Sequence, residues 1–91
     1  MYKVTGELCH DNAPAAVTAG LSAIASGQLA FDLSDLSKID SSAVAVMIEW
    51  QRHALQRGAQ LQFEGVPGSL LSLISLYGLS EQFQVAVPER H

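Results

Sequence analysis

The residues with the richest chemistry lie in one stretch, Leu33-Ser34-Asp35-Leu36-Ser37-Lys38-Ile39-Asp40-Ser41-Ser42-Ala43-Val44, where a polar run leads into an amphipathic one. Asp40, Ser41 and Ser42 stand where helical periodicity begins. The first amides of a helix have no intrahelical acceptor and carry the positive end of its dipole, so they favour a carboxylate, a hydroxyl oxygen or a phosphate. The three residues therefore read as an anion-binding or phosphoserine site. Asp and Ser are also preferred N-cap residues, and capping alone accounts for the same pattern. A phosphate-cradling nucleotide loop does not fit, because there is neither a glycine-rich run nor a following lysine.

Other reactive side chains fall into weaker patterns. Ser, His and Asp all occur, but no G-x-S-x-G elbow precedes a helix and no base has a recognisable position. Cys9, His10 and Asp11 are adjacent, yet zinc needs about four ligands and the chain offers no second cluster. Nothing near Cys9 lowers its thiol pKa, so it reads as a small half-buried hydrophobe. The residues thus point away from an enzyme, and neither a metal nor a cofactor is expected.

The elements that position these residues follow from periodicity. Tyr2, Val4, Gly6 and Leu8 alternate with Lys3, Thr5 and Glu7, a strand with one buried face and the character of an edge. Asp11-Asn12 with Pro14 starts a helix that buries Val17, Leu21 and Ile24 and stops at Gly27, with Gly20 weakening its middle. A short buried strand is predicted over Gln28 to Leu33, a polar connection over Ser34 to Asp40 and a helix from Ser42 to Arg57, closed by Gly58. Leu61 and Phe63 mark another strand, Pro67 opens a third helix reaching Tyr77, and Phe83 to Val87 suits a last short strand. This order predicts a single α/β domain over residues 1–91, with a mostly parallel sheet of about four strands packed against about three helices.

On the helix from Ser42, steps of about 100° place Val44, Met47, Ile48 and Leu55 on one side and Ala45, Glu49, Arg52 and Gln56 opposite. Ser42, Val46, Trp50 and His53 fall on a flank between them. Trp50 either anchors a partner there or packs internally. Arg52, His53 and Arg57 complement the negative end of the helix dipole. The third helix is apolar almost all round, with Ser69, Ser72 and Ser75 as a thin polar strip, so Leu71 or Leu76 is either sandwiched or part of a partner or dimer surface.

Composition narrows the partners. Five Lys and Arg against nine Asp and Glu give a net charge of −4, which repels nucleic-acid backbones and anionic lipid. Only 15% of the residues are charged while 48% are hydrophobic, so some apolar surface is reserved for a protein partner. A single cysteine fits a reducing compartment. The first residues lack a signal-peptide core and the longest apolar run is the short Ala43 to Ile48, so a cytoplasmic chain without membrane insertion is expected.

Phe31-Asp32-Leu33-Ser34 followed by Ile39-Asp40-Ser41-Ser42-Ala43 resembles the signature of STAS domains, the family of anti-sigma-factor antagonists, whose strand-to-helix loop carries an Asp-Ser-Ser-Gly or Asp-Thr-Gly-Gly element. Gly6-Glu7-Leu8 is similar to the end of that family's first strand, Gly58 to its post-helix glycine, and Leu76-Tyr77-Gly78-Leu79 with Phe83 to its third-helix exit. The resemblance spans nearly the whole chain. Ser41 to Trp50 and Leu76 to Leu79 most resemble the MlaB type, the cytoplasmic STAS subunit of a phospholipid ABC transporter. That resemblance implies a noncatalytic subunit, peripheral to the inner membrane, that docks on the transporter's ATPase subunit and through it on the permease. Asp40, Ser41, Ser42, Val46 and Trp50 would form the contact, and a homodimer is compatible with the same apolar flank. The alternative it implies is an anti-sigma-factor antagonist switched by serine phosphorylation. The key hydroxyl of the MlaB type follows the loop aspartate and corresponds to Ser41, whereas the phosphorylated serine of the antagonists corresponds to Ser42.

Overall fold

The computed structural model describes residues 1–79 and 81–86, with side-chain surroundings given through residue 83 apart from residue 80. Strand β1 spans Tyr2–Leu8, a 3-10 turn His10–Asn12, helix α1 Ala13–Ala25, strand β2 Ala30–Ile39, helix α2 Ser42–Gln56, strand β3 Gln62–Glu64, helix α3 Gly68–Leu76 and strand β4 Gln84–Ala86. All strand pairs are parallel and the sheet order is β1-β2-β3-β4. The architecture is the expected α/β arrangement of four strands and three helices. Val87, assigned to the last strand from sequence, lies outside the described residues.

Parallel neighbours joined in sequence by helices place those helices on one face of the sheet. Alternation along the strands shows which face. Val4 and Leu8 of β1, Phe31 and Leu33 of β2 and Phe63 of β3 are buried, while Lys3, Thr5, Glu7 and Ser34 point to solvent. Among the described residues the domain therefore has two layers, and the second face of the sheet is open and polar.

Strand β2 runs six residues further than the sequence predicts. Ser34 to Ile39 pairs with β1 rather than forming a loop, and two register shifts, between Lys3/Thr5 and Gly6/Glu7, let the ten residues of β2 follow the seven of β1. Bulged pairing breaks the period-two pattern, which hides this half of the strand from a reading by alternation. Leu36 and Ile39 are half-buried against the core.

The largest departure concerns α2. Val46 and Trp50, placed on a flank of the helix and assigned to the partner contact, are 2% and 1% exposed and belong to the core, so Trp50 takes the internal of its two alternatives. The buried stripe is Ala43, Val44, Val46, Met47, Trp50 and Ala54, whereas Leu55, assigned to the apolar side, is 55% exposed. The reason is the seam between α1 and α2. The Trp50 indole N–H donates to the carbonyls of Ala16 and Val17 at 3.2 and 3.3 Å, and its ring lies against Gly20. On the sheet side the ring meets Phe31 edge-on at 5.0 Å and stacks on Phe63 at 6.5 Å, in a cluster continued by Tyr2 and Phe83. Such pairs add about 0.5–1.5 kcal/mol each beyond area burial.

Gly20 is thus a packing residue, not a weak point of its helix. A Cβ there would stand 2.1 Å from Trp50 Nε1 and 2.4 Å from Cε2. Helix propensity alone favours alanine over glycine by about 1 kcal/mol. We expect the opposite sign: Gly20→Ala lowers the unfolding free energy by about 1–3 kcal/mol, as measured by urea denaturation. A variant as stable as the parent would show that α1 and α2 are not in this contact.

Candidate functional site

The loop between β2 and α2 is organised by Asp40. Its Oδ1 accepts the Ser42 amide at 2.8 Å and its Oδ2 accepts the His10 amide at 3.1 Å. Its own N–H donates to the Leu8 carbonyl at 3.4 Å, and its carbonyl accepts the Ala43 amide at 3.0 Å. One residue therefore caps α2 and ties it to the end of β1 and the 3-10 turn. The sequence marks Asp40 as a cap, but its second bond, to a residue thirty positions earlier, has no local signal.

The His10 and Ser42 amides hold the Asp40 carboxyl below the usual range, with the Ser42 hydroxyl and the nearby His10 side chain assisting against partial burial. This changes the anion-site reading. The carboxylate of Asp40 already occupies the Ser42 amide, so the anion at this helix start is supplied by the chain itself. A phosphate arriving here meets a fixed negative charge.

Ser41 is exposed, with αR backbone angles, and its hydroxyl makes no hydrogen bond among the described residues. Ser42 is half-buried, and Ala43 beneath it is fully buried. Of the five residues singled out from sequence, the structure brings Asp40, Ser41 and Ser42 together on the surface and places Val46 and Trp50 in the core behind them. The surface that continues from the loop along α2 is formed instead by Ala45, Glu49 and Arg52, with Arg52 Nη1 2.9 Å from Glu49 Oε1. Beside it runs an apolar groove of about 170 Å³ between Ile48, Leu55, Leu79 and Phe83. Gln51 closes one wall by donating from Nε2 to the Gln82 carbonyl. Leu76 is 75% exposed and Tyr77 is also exposed, so the apolar residues of α3 are only partly sandwiched, with Leu70 and Ile74 buried.

Cys9 is buried, more than the half-buried position expected, and burial pushes its thiol pKa up, with Asp40 adding in the same direction. No group of three or more His, Cys, Asp and Glu side chains stands in a metal-binding arrangement among the described residues. No described helix is long and apolar enough to cross a membrane.

A parallel α/β domain with an Asp-Ser-Ser loop at the start of its second helix is the arrangement of STAS domains. The family model described as "Mlab, STAS domain" matches residues 2–87, and the chain belongs to that family. Among solved structures, the fold is similar to that of the anti-sigma factor antagonist SpoIIAA in its unphosphorylated form. The TM-score is 0.66 at 16% identity, over 96% of this chain and 77% of that one. Comparison with curated proteins gives no match.

Because the folded-state pKa of Asp40 is depressed, its contribution to stability is present above the unfolded carboxylate pKa, near 3.9, and is lost as pH falls through the folded value. Asp40→Ala is therefore expected to lower Tm at pH 7, and the gap to the parent should narrow as the pH falls below the ordinary carboxylate range. Thermal melts across that range check this; a gap independent of pH would remove the ionic part of the cap.

Proposed function

We propose that the chain is a noncatalytic STAS subunit that docks on the ATPase subunit of a phospholipid ABC transporter, through which it reaches the permease and acts in outer-membrane lipid asymmetry. In this reading it is cytoplasmic and peripheral to the inner membrane. The observation that carries the reading is the Ser41 hydroxyl, exposed at the start of α2, without a hydrogen bond among the described residues, and held there by Asp40. Membership of the MlaB-type family supports the choice of partner. The contact surface consists of Asp40, Ser41, Ser42 and the exposed side of α2. Val46 and Trp50 act from behind, by fixing where that helix starts. The net charge of −4 fits a role exercised through protein rather than lipid contacts.

Ser41→Arg places a long charged side chain on the surface without touching the core. It is expected to abolish co-purification with the ATPase subunit while leaving the far-UV circular dichroism and the melting temperature unchanged. Retained binding would place the docking surface elsewhere.

A second reading, an antagonist of an anti-sigma factor switched by phosphorylation, is motivated by the Ser41-Ser42 pair, of which Ser41 is exposed and Ser42, the position that corresponds to the antagonists' phosphorylated serine, is half-buried. The Asp40 carboxylate does not separate the readings, because the antagonists' loop carries the same aspartate before its serines. Intact mass after incubation with anti-sigma kinases separates the two: an added phosphate together with a stable kinase complex supports the switch, and an unchanged mass removes it.

A further inference from the structure

The end of α3 is built so that two large apolar side chains stay outside the core. Gly78, at a φ of 70°, closes the helix: its N–H donates to the Ser75 carbonyl at 3.0 Å, and the Leu79 N–H reaches back to the Ile74 carbonyl at 2.9 Å. A helix end of this form turns the chain sharply at the glycine. Leu79 then packs against the core, while Leu76 and Tyr77 are left exposed, Tyr77 by 50%. Residues 65–80 contribute no charge to this surface. Next to the pair opens the groove walled by Leu55 on α2 and by Leu79 and Phe83 on the exit from α3. One surface therefore carries a projecting apolar pair and an apolar hollow side by side.

The hollow has a definite chemistry. Its volume of about 170 Å³ takes one large side chain and excludes a whole helix or strand. The Gln51 amide is oriented by its Nε2 donating to the Gln82 carbonyl, so Oε1 is left buried with no hydrogen-bond partner among the described residues. An unpaired buried acceptor is destabilising. The side chain that suits this groove has an apolar body and a hydrogen-bond donor at its tip, as a phenol does. Tyr77 answers to that description, whereas Tyr2 packs on Phe31 and Trp50 lies in the core.

From this pairing of knob and hollow we infer that the chain forms an isologous dimer in which Tyr77 of each copy enters the groove of the other. A two-fold axis between the two features makes both contacts at once, which is the self-complementarity such an interface requires. Leu76 then covers the rim at Leu55 of the second copy, and a turn of the Gln51 side chain brings Oε1 to the incoming hydroxyl. The charges agree with this axis. Arg52 borders the groove on the α2 side and Glu81 is exposed on the exit side, so exchanging the sides sets each arginine toward the other copy's glutamate. Arg52 engages Glu49 through Nη1 and has further N–H groups to offer.

One tyrosine and two leucines per copy cover less than the roughly 800 Å² per partner of a stable interface. The dissociation constant is therefore expected on the order of 10–100 µM. The interface uses the end of α2 away from the Asp40 loop, and the inference holds whatever that loop docks on.

Sedimentation velocity of the full chain over a concentration series tests this. A monomer–dimer equilibrium is expected, weakened about tenfold or more by Tyr77→Ala and by Leu55→Arg. Both side chains are exposed, so the far-UV circular dichroism and melting temperature of these variants should match the parent. Tyr77→Phe keeps the ring, loses the hydroxyl and should weaken the dimer about three- to tenfold. Arg52→Glu and Glu81→Arg each weaken it, and the double variant Arg52→Glu/Glu81→Arg restores it. A dimer indifferent to Tyr77→Ala and Leu55→Arg overturns the inference. So does a monomer at every concentration, including the case in which Leu55→Arg abolishes co-purification with the ATPase subunit, which would assign the groove to that partner.

Discussion

The fold depends on the fit of one large side chain into one missing one. The indole of Trp50 can lie in the seam between α1 and α2 only because Gly20 offers no Cβ, and it can be buried only because the Ala16 and Val17 carbonyls accept its N–H. With the ring fixed, Phe31 and Phe63 pack against its edge and face, and the two central strands are set relative to the helices. In a chain this small, where the surface hidden on folding is only about 60–65% of the total, so dense a centre offsets the modest size of the core.

The same contact determines what the surface displays. Holding α2 by Trp50 from within places its first turn over the ends of β1 and β2, where Asp40 closes the joint through His10 and Ser42. Consuming those amides has an electrostatic consequence. The helix start is neutralised by its own aspartate, so the exposed feature is a serine hydroxyl beside a carboxylate rather than a positive hollow. Such a surface suits a partner offering hydrogen-bond donors more than it suits a free phosphate.

Much of this was legible in the chain of letters, and what was not has identifiable causes. Alternation in Tyr2 to Leu8, the Pro14 and Gly27 boundaries of α1, and the capping pattern at Ser42 are local signals, and the elements fall within a residue or two of them. The second half of β2 was hidden because its pairing is bulged and its side chains are polar. The face of α2 was misplaced because helical periodicity gives the spacing of a stripe but not its centre. Leu55 pulled that centre toward solvent, while the feature that fixes it, a glycine thirty residues earlier, reads locally only as a weak helix former. The Asp40-Ser41-Ser42 cluster was visible as chemistry, and the bond from Asp40 to His10 was not, since it joins residues far apart in sequence.

Trp50 is the sole tryptophan, and it is enclosed between Gly20, Phe31 and Phe63. Intrinsic fluorescence of this protein is consequently an optical gauge of the helix seam and not of the loop at Asp40. Emission will be blue-shifted in the native state and insensitive to soluble quenchers. A spectral change on complex formation would signal that the two helices have moved apart, which separates simple docking from a partner that remodels the domain.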